Sequence, residues 1–291
     1  MRLHTSHLYF GYGKHSVLKD INLDLSGPGL VCLLGPNGVG KSTLFGCLLG
    51  SLKDYQGAIT IDDEDLGSYT AAALARRIAF VPQAQTNAFG YSVVDMVLMA
   101  TAPMLSVLRT PGKPEELVAM EALERVHMTH LARRDFATLS GGEKQLVLIA
   151  RGLAQQSPIV IMDEPTASLD YGNQLRVLQV VRALADTDHL IICSTHNPDQ
   201  ALQFGDRAVA LKDGAVCGEG PPVEVVNERL LKDLYGVDVQ LTALPGSPVP
   251  VCVPRFLTER FSDSSVTWDE HRAGPATSSH KNRADPPTHH Q

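Results

Sequence analysis

Gly35, Pro36, Asn37, Gly38, Val39, Gly40, Lys41, Ser42 and Thr43 have the spacing G-x-x-x-x-G-K-[ST]. Glycines so placed let backbone N–H groups curl around phosphates at a helix N-terminus. Lys41 supplies a compact positive charge, and Ser42 a hydroxyl for a Mg²⁺ ion that bridges the β- and γ-phosphates. Ile159, Val160, Ile161, Met162, Asp163 and Glu164 form a second such run, an apolar strand ending in two carboxylates. This sets an acid at the carboxyl edge of a parallel sheet. Asp163 suits Mg²⁺ through water, and Glu164 suits the water attacking the γ-phosphate, as general base or as orienting group. Asp-Glu pairs at strand ends also serve plain structural purposes, and the phosphate loop upstream is what favours catalysis.

The elements around these runs are in the order that phosphate chemistry needs. Residues 30–34 are a compact apolar strand that enters the Gly-rich turn, and 42–49 read as an apolar helix closed by Gly50. Before them, β-rich pieces at 8–10 and 17–25 alternate with turn signals and predict a small antiparallel sheet. From about 84 to 154 the strand signals fade, while 92–99, 114–127 and 143–153 read as helices. Pro114 and two glutamates suit a first turn there. This stretch is read as a helical insertion. Strands at 159–162 and 190–194 then flank a helix at 173–185, as in a parallel crossover, so the core returns to α/β.

Leu139, Ser140, Gly141, Gly142 and Glu143 precede an apolar helix face of Leu146, Ile149, Ala150 and Leu153. Ser-x-x-Glu in that place is an ordinary capping box, which accounts for Ser140 and Glu143. It does not account for two consecutive glycines, which weaken a helix start unless their backbone must approach something closely. A second phosphate-binding helix end is the sharper reading.

The chain has 291 residues, long for one domain at roughly 100–200 residues each and short for two. With 25 Lys+Arg against 32 Asp+Glu it carries a net charge of −7, so no basic field speaks for a nucleic-acid partner. No apolar run approaches membrane-spanning length, and the N-terminus lacks a secretory leader's apolar segment, which predicts a cytosolic chain. The five scattered cysteines read as reduced, mostly buried thiols. Residues 256–291 include four of the eleven histidines but only eight hydrophobic residues, and are read as a polar, disordered tail. The terminal histidines have no fixed metal-ligand spacing.

On these motifs the chain, over about residues 1–255, resembles the nucleotide-binding subunit of ABC transporters, with 139–143 as that family's signature. The resemblance implies an α/β fold: a P-loop ABC ATPase cassette with a RecA-like core, an N-terminal antiparallel β subdomain and the helical subdomain inserted at about 84–154. It implies ATP and Mg²⁺ as cofactors, with Ser42, Gln83 and Asp163 serving the metal. Glu164 and His196 would be catalytic, Asp170 would belong to the D-loop, and Tyr12, 23 residues before Gly35, would stack on adenine. Ser140, Gly141, Gly142 and Glu143 would meet the ATP of a second, head-to-tail copy. Two departures from the family pattern stand out: Glu143 where Gln is commoner and Leu146 where Arg is commoner.

With no membrane segment of its own, a transporter of this kind would pair with separate permease subunits, and indirectly with a substrate-binding protein, at the cytoplasmic face of the inner membrane. The stretches 81–83, 88–97 and 195–201 and the short end 230–254 resemble the iron-siderophore, haem, cobalamin and molybdate group. An iron complex or cobalamin is the leading substrate class. Molybdate or tungstate import is the first alternative, and a non-transport ATPase such as an iron-sulfur assembly factor the second.

Overall fold

The computed structural model describes residues 1–83, 90–104 and 111–257. The chain opens with β1 (Arg2–Tyr12) and β2 (His15–Ser26), an antiparallel pair joined by a tight turn. Then come β3 (Gly29–Leu34), the phosphate loop and α1 (Lys41–Leu48). β4 (Gln56–Ile61) and β5 (Glu64–Asp65) extend the first pair to a four-stranded antiparallel sheet ordered β2-β1-β4-β5. α2 (Ala71–Ala75) leads into β6 (Ile78–Val81).

Between β6 and the next strand the described elements are helical: α3 (Val93–Leu98), α4 (Lys113–Arg125) and α5 (Gly141–Ala154), which pack on one another. α3 and α5 start in full capping boxes, Ser92 with Asp95 and Ser140 with Glu143. The expected helix starts at 92 and 114 lie within one residue of those found, whereas α5 begins two residues before 143, at the first signature glycine. The chain then runs through β7 (Ile159–Met162), α6 (Tyr171–Ala185), β8 (Leu190–Thr195), α7 (Pro198–Phe204), β9 (Arg207–Lys212) and β10 (Ala215–Gly220). After β10 come α8 (Pro222–Val225), α9 (Glu228–Tyr235) and the hairpin β11 (Val239–Thr242) with β12 (Val251–Pro254).

The central sheet has the order β10-β9-β3-β8-β7-β6 and is parallel apart from β10. Alternate residues of each strand feed two separate cores, as the two-residue period of a strand requires. Leu30, Cys32 and Leu34 of β3 join Val160, Met162, Ile191 and Cys193 in the core beneath the helices. Val31 and Leu33 join Ile159, Ile161 and Ile192 in the core shared with α1 and the antiparallel sheet. A sheet covered on both faces needs apolar residues at every position, which is why these strands read as unbroken apolar runs.

Cys32, Cys47 and Cys193 are buried as expected, but Cys217 is exposed and Cys252 half-buried, so the reading of mostly buried thiols holds for three of five. Cys217 lies where β10, at the sheet's edge, departs from regular register with β9. Burial pushes the Cys32 thiol up to about 12 and that of Cys193 well above its ordinary value. Both stay protonated and unreactive at neutral pH. The described part of the tail stops at Leu257, so the rest of the predicted polar segment, with its four histidines, lies outside the described residues.

Candidate nucleotide site

The C-terminal ends of β3, β6, β7 and β8 lie side by side, and the site is built on that edge. β3 delivers Gly35 directly into the loop. Gly40 caps α1 at a φ of 113°, a left-handed conformation that an L side chain rarely adopts, so the turn onto the helix needs glycine there. The Lys41 side chain is 5% exposed, and its ammonium donates to the carbonyls of Gly35 (2.7 Å) and Pro36 (3.2 Å). It also lies 3.4 Å from Glu164 Oε1. The Ser42 hydroxyl donates to Asp163 Oδ2 at 2.9 Å, bringing together two groups 121 residues apart.

β7 carries Asp163 and Glu164 to the same edge. Glu164 has a φ of 44°, an unusual value for a residue with a side chain, of the kind that costs about 1–3 kcal/mol and persists only when the surroundings impose it. They do so here. Its amide donates to Ser194 Oγ (2.8 Å), and its carboxylate lies between Lys41 and His196, whose Nδ1 is 3.5 Å from Glu164 Oε2. The His196 side chain is 56% exposed and free to meet a ligand.

Ser194 was not singled out by the sequence. Buried at the end of β8, it donates to Asp163 Oδ1 at 2.6 Å while accepting from the Glu164 amide, so one hydroxyl fixes both acids. A polar pair, Ser194 and Thr195, closing an otherwise apolar strand is the only signal that points to it. Ser194→Ala is expected to lose both bonds and leave a buried amide unpaired, a cost of about 1–3 kcal/mol. Steady-state ATP hydrolysis should fall by about tenfold and the melting temperature should drop.

A cavity of about 270 Å³ opens over the loop, lined by Tyr12, Val17, Asn37, Gly38, Gly40, Lys41, Ser42, Thr43 and Glu164. Tyr12 is 55% exposed at the cavity wall and makes a T-shaped contact with Phe10, with ring centroids 5.1 Å apart. A flat, exposed aromatic face there fits the stacking of a base. Gln83 follows Val81, whose carbonyl accepts from the Asp163 amide at 3.0 Å, so it stands two residues past the strand that flanks the acid.

The signature residues do not line this cavity. Ser140 Oγ donates to Glu143 Oε2 at 2.8 Å, and the Ser140 amide donates to the same oxygen at 2.8 Å. These bonds hold the Glu143 carboxyl below its ordinary range. The capping box is thus present, and Gly142 has its own reason: a Cβ there would come within 2.4 Å of the Asn173 side chain on α6. Asn173 is in turn bound by Asp170, which caps α6 and accepts from the Asn173 amide (2.9 Å) and Nδ2 (2.7 Å). Asp170, α6 and the start of α5 therefore form one packed unit.

Fold and site together define a phosphate-loop nucleotide-binding core. Residues 18–167 match the ABC transporter family model. An uncharacterized ABC transporter ATP-binding protein of Haemophilus influenzae is 41% identical over 241 residues, 83% of this chain and 92% of its own length. The hemin import ATP-binding protein HmuV of Thermobifida fusca is 38% identical over 87% of this chain and 88% of its own length. Among solved structures, an inward-facing transporter assigned to the metal-chelate type has a chain that superposes with a TM-score of 0.77. It is 32% identical and covers 88% of this chain and 98% of that one. The chain belongs to the ABC transporter family, as an ATP-binding subunit that hydrolyses ATP to drive transport. Such subunits work with membrane permease components. Among the described residues no helix is long and apolar enough to cross a membrane.

Proposed function

We propose that this chain powers an importer of an iron complex, haem first, by hydrolysing Mg²⁺-ATP between two copies of itself. The observation that carries the reading is the meeting of Lys41, Ser42, Asp163, Glu164 and His196 at one sheet edge. Hemin is the cargo in the name of the Thermobifida fusca relative, and the transporter of the metal-chelate type points to the same substrate class.

The residues fit Mg²⁺. Ser42 Oγ and Asp163 Oδ2 are hard oxygen donors 2.9 Å apart, and Gln83 stands two residues past Val81, whose carbonyl accepts from the Asp163 amide. Two such oxygens suit an ion completed by substrate phosphates. When bound, it supplies charge neutralisation to the β- and γ-phosphate oxygens. Lys41 and the loop amides bind the phosphates, Tyr12 orients the base, and Glu164 orients or deprotonates the attacking water. His196, exposed beside Glu164, reaches the γ-phosphate.

Ser140, Gly141, Gly142 and Glu143 lie outside the cavity of their own chain, so they serve the ATP of a second copy, and each copy completes the other's site. In domain terms, residues 1–255 form the cassette, with the helical stretch of about 84–154 inserted and 256–291 as an appended tail. The assembly works at the cytoplasmic face of the membrane, docked on its permease, with a substrate-binding protein as indirect partner.

Tagged Glu164→Gln protein, captured from native membranes in ATP, should bring down a polytopic membrane protein, and loss of the wild-type chain should abolish uptake of labelled haem. Capture of soluble partners alone would overturn the transport reading in favour of an assembly factor. Intact haem uptake with loss of molybdate uptake would move the substrate to an oxyanion.

A further inference from the structure

Glu164 and His196 serve one reacting phosphate, yet they are carried by two different loops, each leaving the end of its own strand. The parallel ladder between β7 and β8 closes at the pairing of Met162 with Cys193. Beyond that pair, side chains tie the two loops together. Ser194 makes the first tie, to Asp163 and to the Glu164 amide. A second lies farther out, and its centre is Gln200 on α7, a half-buried residue that does not line the nucleotide cavity.

The Thr195 hydroxyl donates to Gln200 Oε1 at 2.8 Å and accepts from the Asn197 amide at 3.1 Å. One side chain thus spans His196, bonding the amide just after it, and anchors that turn on α7. On its other side Gln200 meets Thr166, whose hydroxyl lies 3.3 Å from Oε1 and 3.2 Å from Nε2. Thr166 and Thr195 are buried, at 7% and 5% exposure, so water competes little for these bonds. Thr166 is joined to Glu164 through Pro165, buried and with its φ fixed by the ring, and the Ala167 amide donates to the Glu164 carbonyl at 3.0 Å. A run of short contacts therefore leads from the backbone of Glu164 through Thr166, Gln200 and Thr195 to the amide that follows His196.

The start of α7 is itself a firm mount. Pro198 opens the helix, and the Asn197 side chain caps it by accepting from the Asp199 amide at 3.0 Å. From the other side the β11–β12 hairpin reaches in, since the Cys252 amide donates to Asp199 Oδ1 at 2.9 Å. The His196 ring, by contrast, is exposed, and its 3.5 Å approach to Glu164 Oε2 is longer than an ordinary hydrogen bond, so the aim of the ring comes from its backbone. We infer that Gln200 is a positioning residue for hydrolysis, fixing the loop that carries His196 against the loop that carries Glu164 so that both side chains meet one γ-phosphate. This inference rests on the reading of His196 as the group that reaches that phosphate.

The test is Gln200→Leu in the full chain, alone and combined with His196→Ala. Leucine fills similar space and makes none of these hydrogen bonds. The kcat for ATP hydrolysis should fall by about threefold to tenfold, the span of one hydrogen bond. ADP affinity should stay within about twofold, because ADP has no γ-phosphate and the phosphate loop is untouched. In the His196→Ala background the same substitution should lower kcat no further, since no ring is left to aim, whereas a structural role would lower both backgrounds alike. Should Gln200→Leu not fold, Thr195→Val, which keeps the shape and cuts the run next to His196, is put through the same cycle with the same expected result. Wild-type kcat in the single variant, or an equal fall in the His196→Ala background, overturns the inference while the ATPase reading stands. Wild-type kcat in His196→Ala alone would remove His196 from the reaction, and this inference with it.

Discussion

Glu164→Gln is expected to bind ATP with an affinity close to wild type and to hydrolyse it about 10²–10⁴-fold more slowly, the range lost when a positioned acid-base group is removed. Binding survives because the phosphate contacts come from Lys41, the loop amides and Ser42, none of which the substitution removes. Lys41 has an ion partner in Glu164 at 3.4 Å, and the amide of Gln competes for the ammonium less strongly than a carboxylate does. The substitution therefore works in favour of ATP in the binding step and against it in the chemical step. A fall in kcat without loss of affinity is the mark of a group that acts only in the transition state. The checks are ATP titration and steady-state phosphate release. Hydrolysis near the wild-type rate would remove Glu164 as the group acting on water.

The strained backbone of Glu164 makes the prediction sharper. A φ of 44° is held by the Ser194 hydroxyl, with Lys41 and His196 on either side of the carboxylate, and Gln retains the amide that bonds Ser194. The backbone geometry should survive the change, so the loss belongs to the carboxylate. Ser194→Ala reverses the design, keeping the carboxylate and loosening its mount. A smaller fall in rate with a lower melting temperature separates the two roles.

How much of this was legible in the sequence depends on how locally each feature is encoded. β3, β7 and β8 are covered on both faces, so their residues are uniformly apolar and stand out as runs. The phosphate loop is a contiguous motif, and the capping box at Ser140 and Glu143 spans four residues. By contrast β4, β5 and the β11–β12 hairpin are short and only half covered, with Gly57 in β4 and Pro245 and Gly246 between the hairpin strands, so no clear period develops. The role of Ser194 depends on the parallel pairing of β7 with β8, which sets Met162 opposite Cys193. No local pattern states which strands become neighbours. The second signature glycine carries a lesson of its own: Gly142 leaves room for Asn173 as well as for any phosphate, so its presence has a packing cause that the sequence alone could not reveal.

Lys41→Ala is expected to fail at the step before chemistry. The ammonium is buried, and a charge-assisted hydrogen bond to a phosphate contributes about 1.5–3 kcal/mol. Its loss should weaken ATP binding by about 10–100-fold, each tenfold corresponding to about 1.4 kcal/mol. A second effect runs the same way. Without Lys41 the Glu164 carboxylate keeps its contact with His196 but loses the ammonium, so more negative charge faces the triphosphate. The Gly35 and Pro36 carbonyls also lose their shared donor, which loosens the loop whose amides must converge on the phosphates. The double variant Lys41→Ala with Glu164→Gln separates these contributions, because removing the carboxylate should restore part of the affinity if repulsion matters and none if the direct phosphate contact is the whole effect. Calorimetric titration of ATP into the three variants reads the difference, and unchanged affinity in Lys41→Ala would contradict the assignment of the loop as the phosphate site.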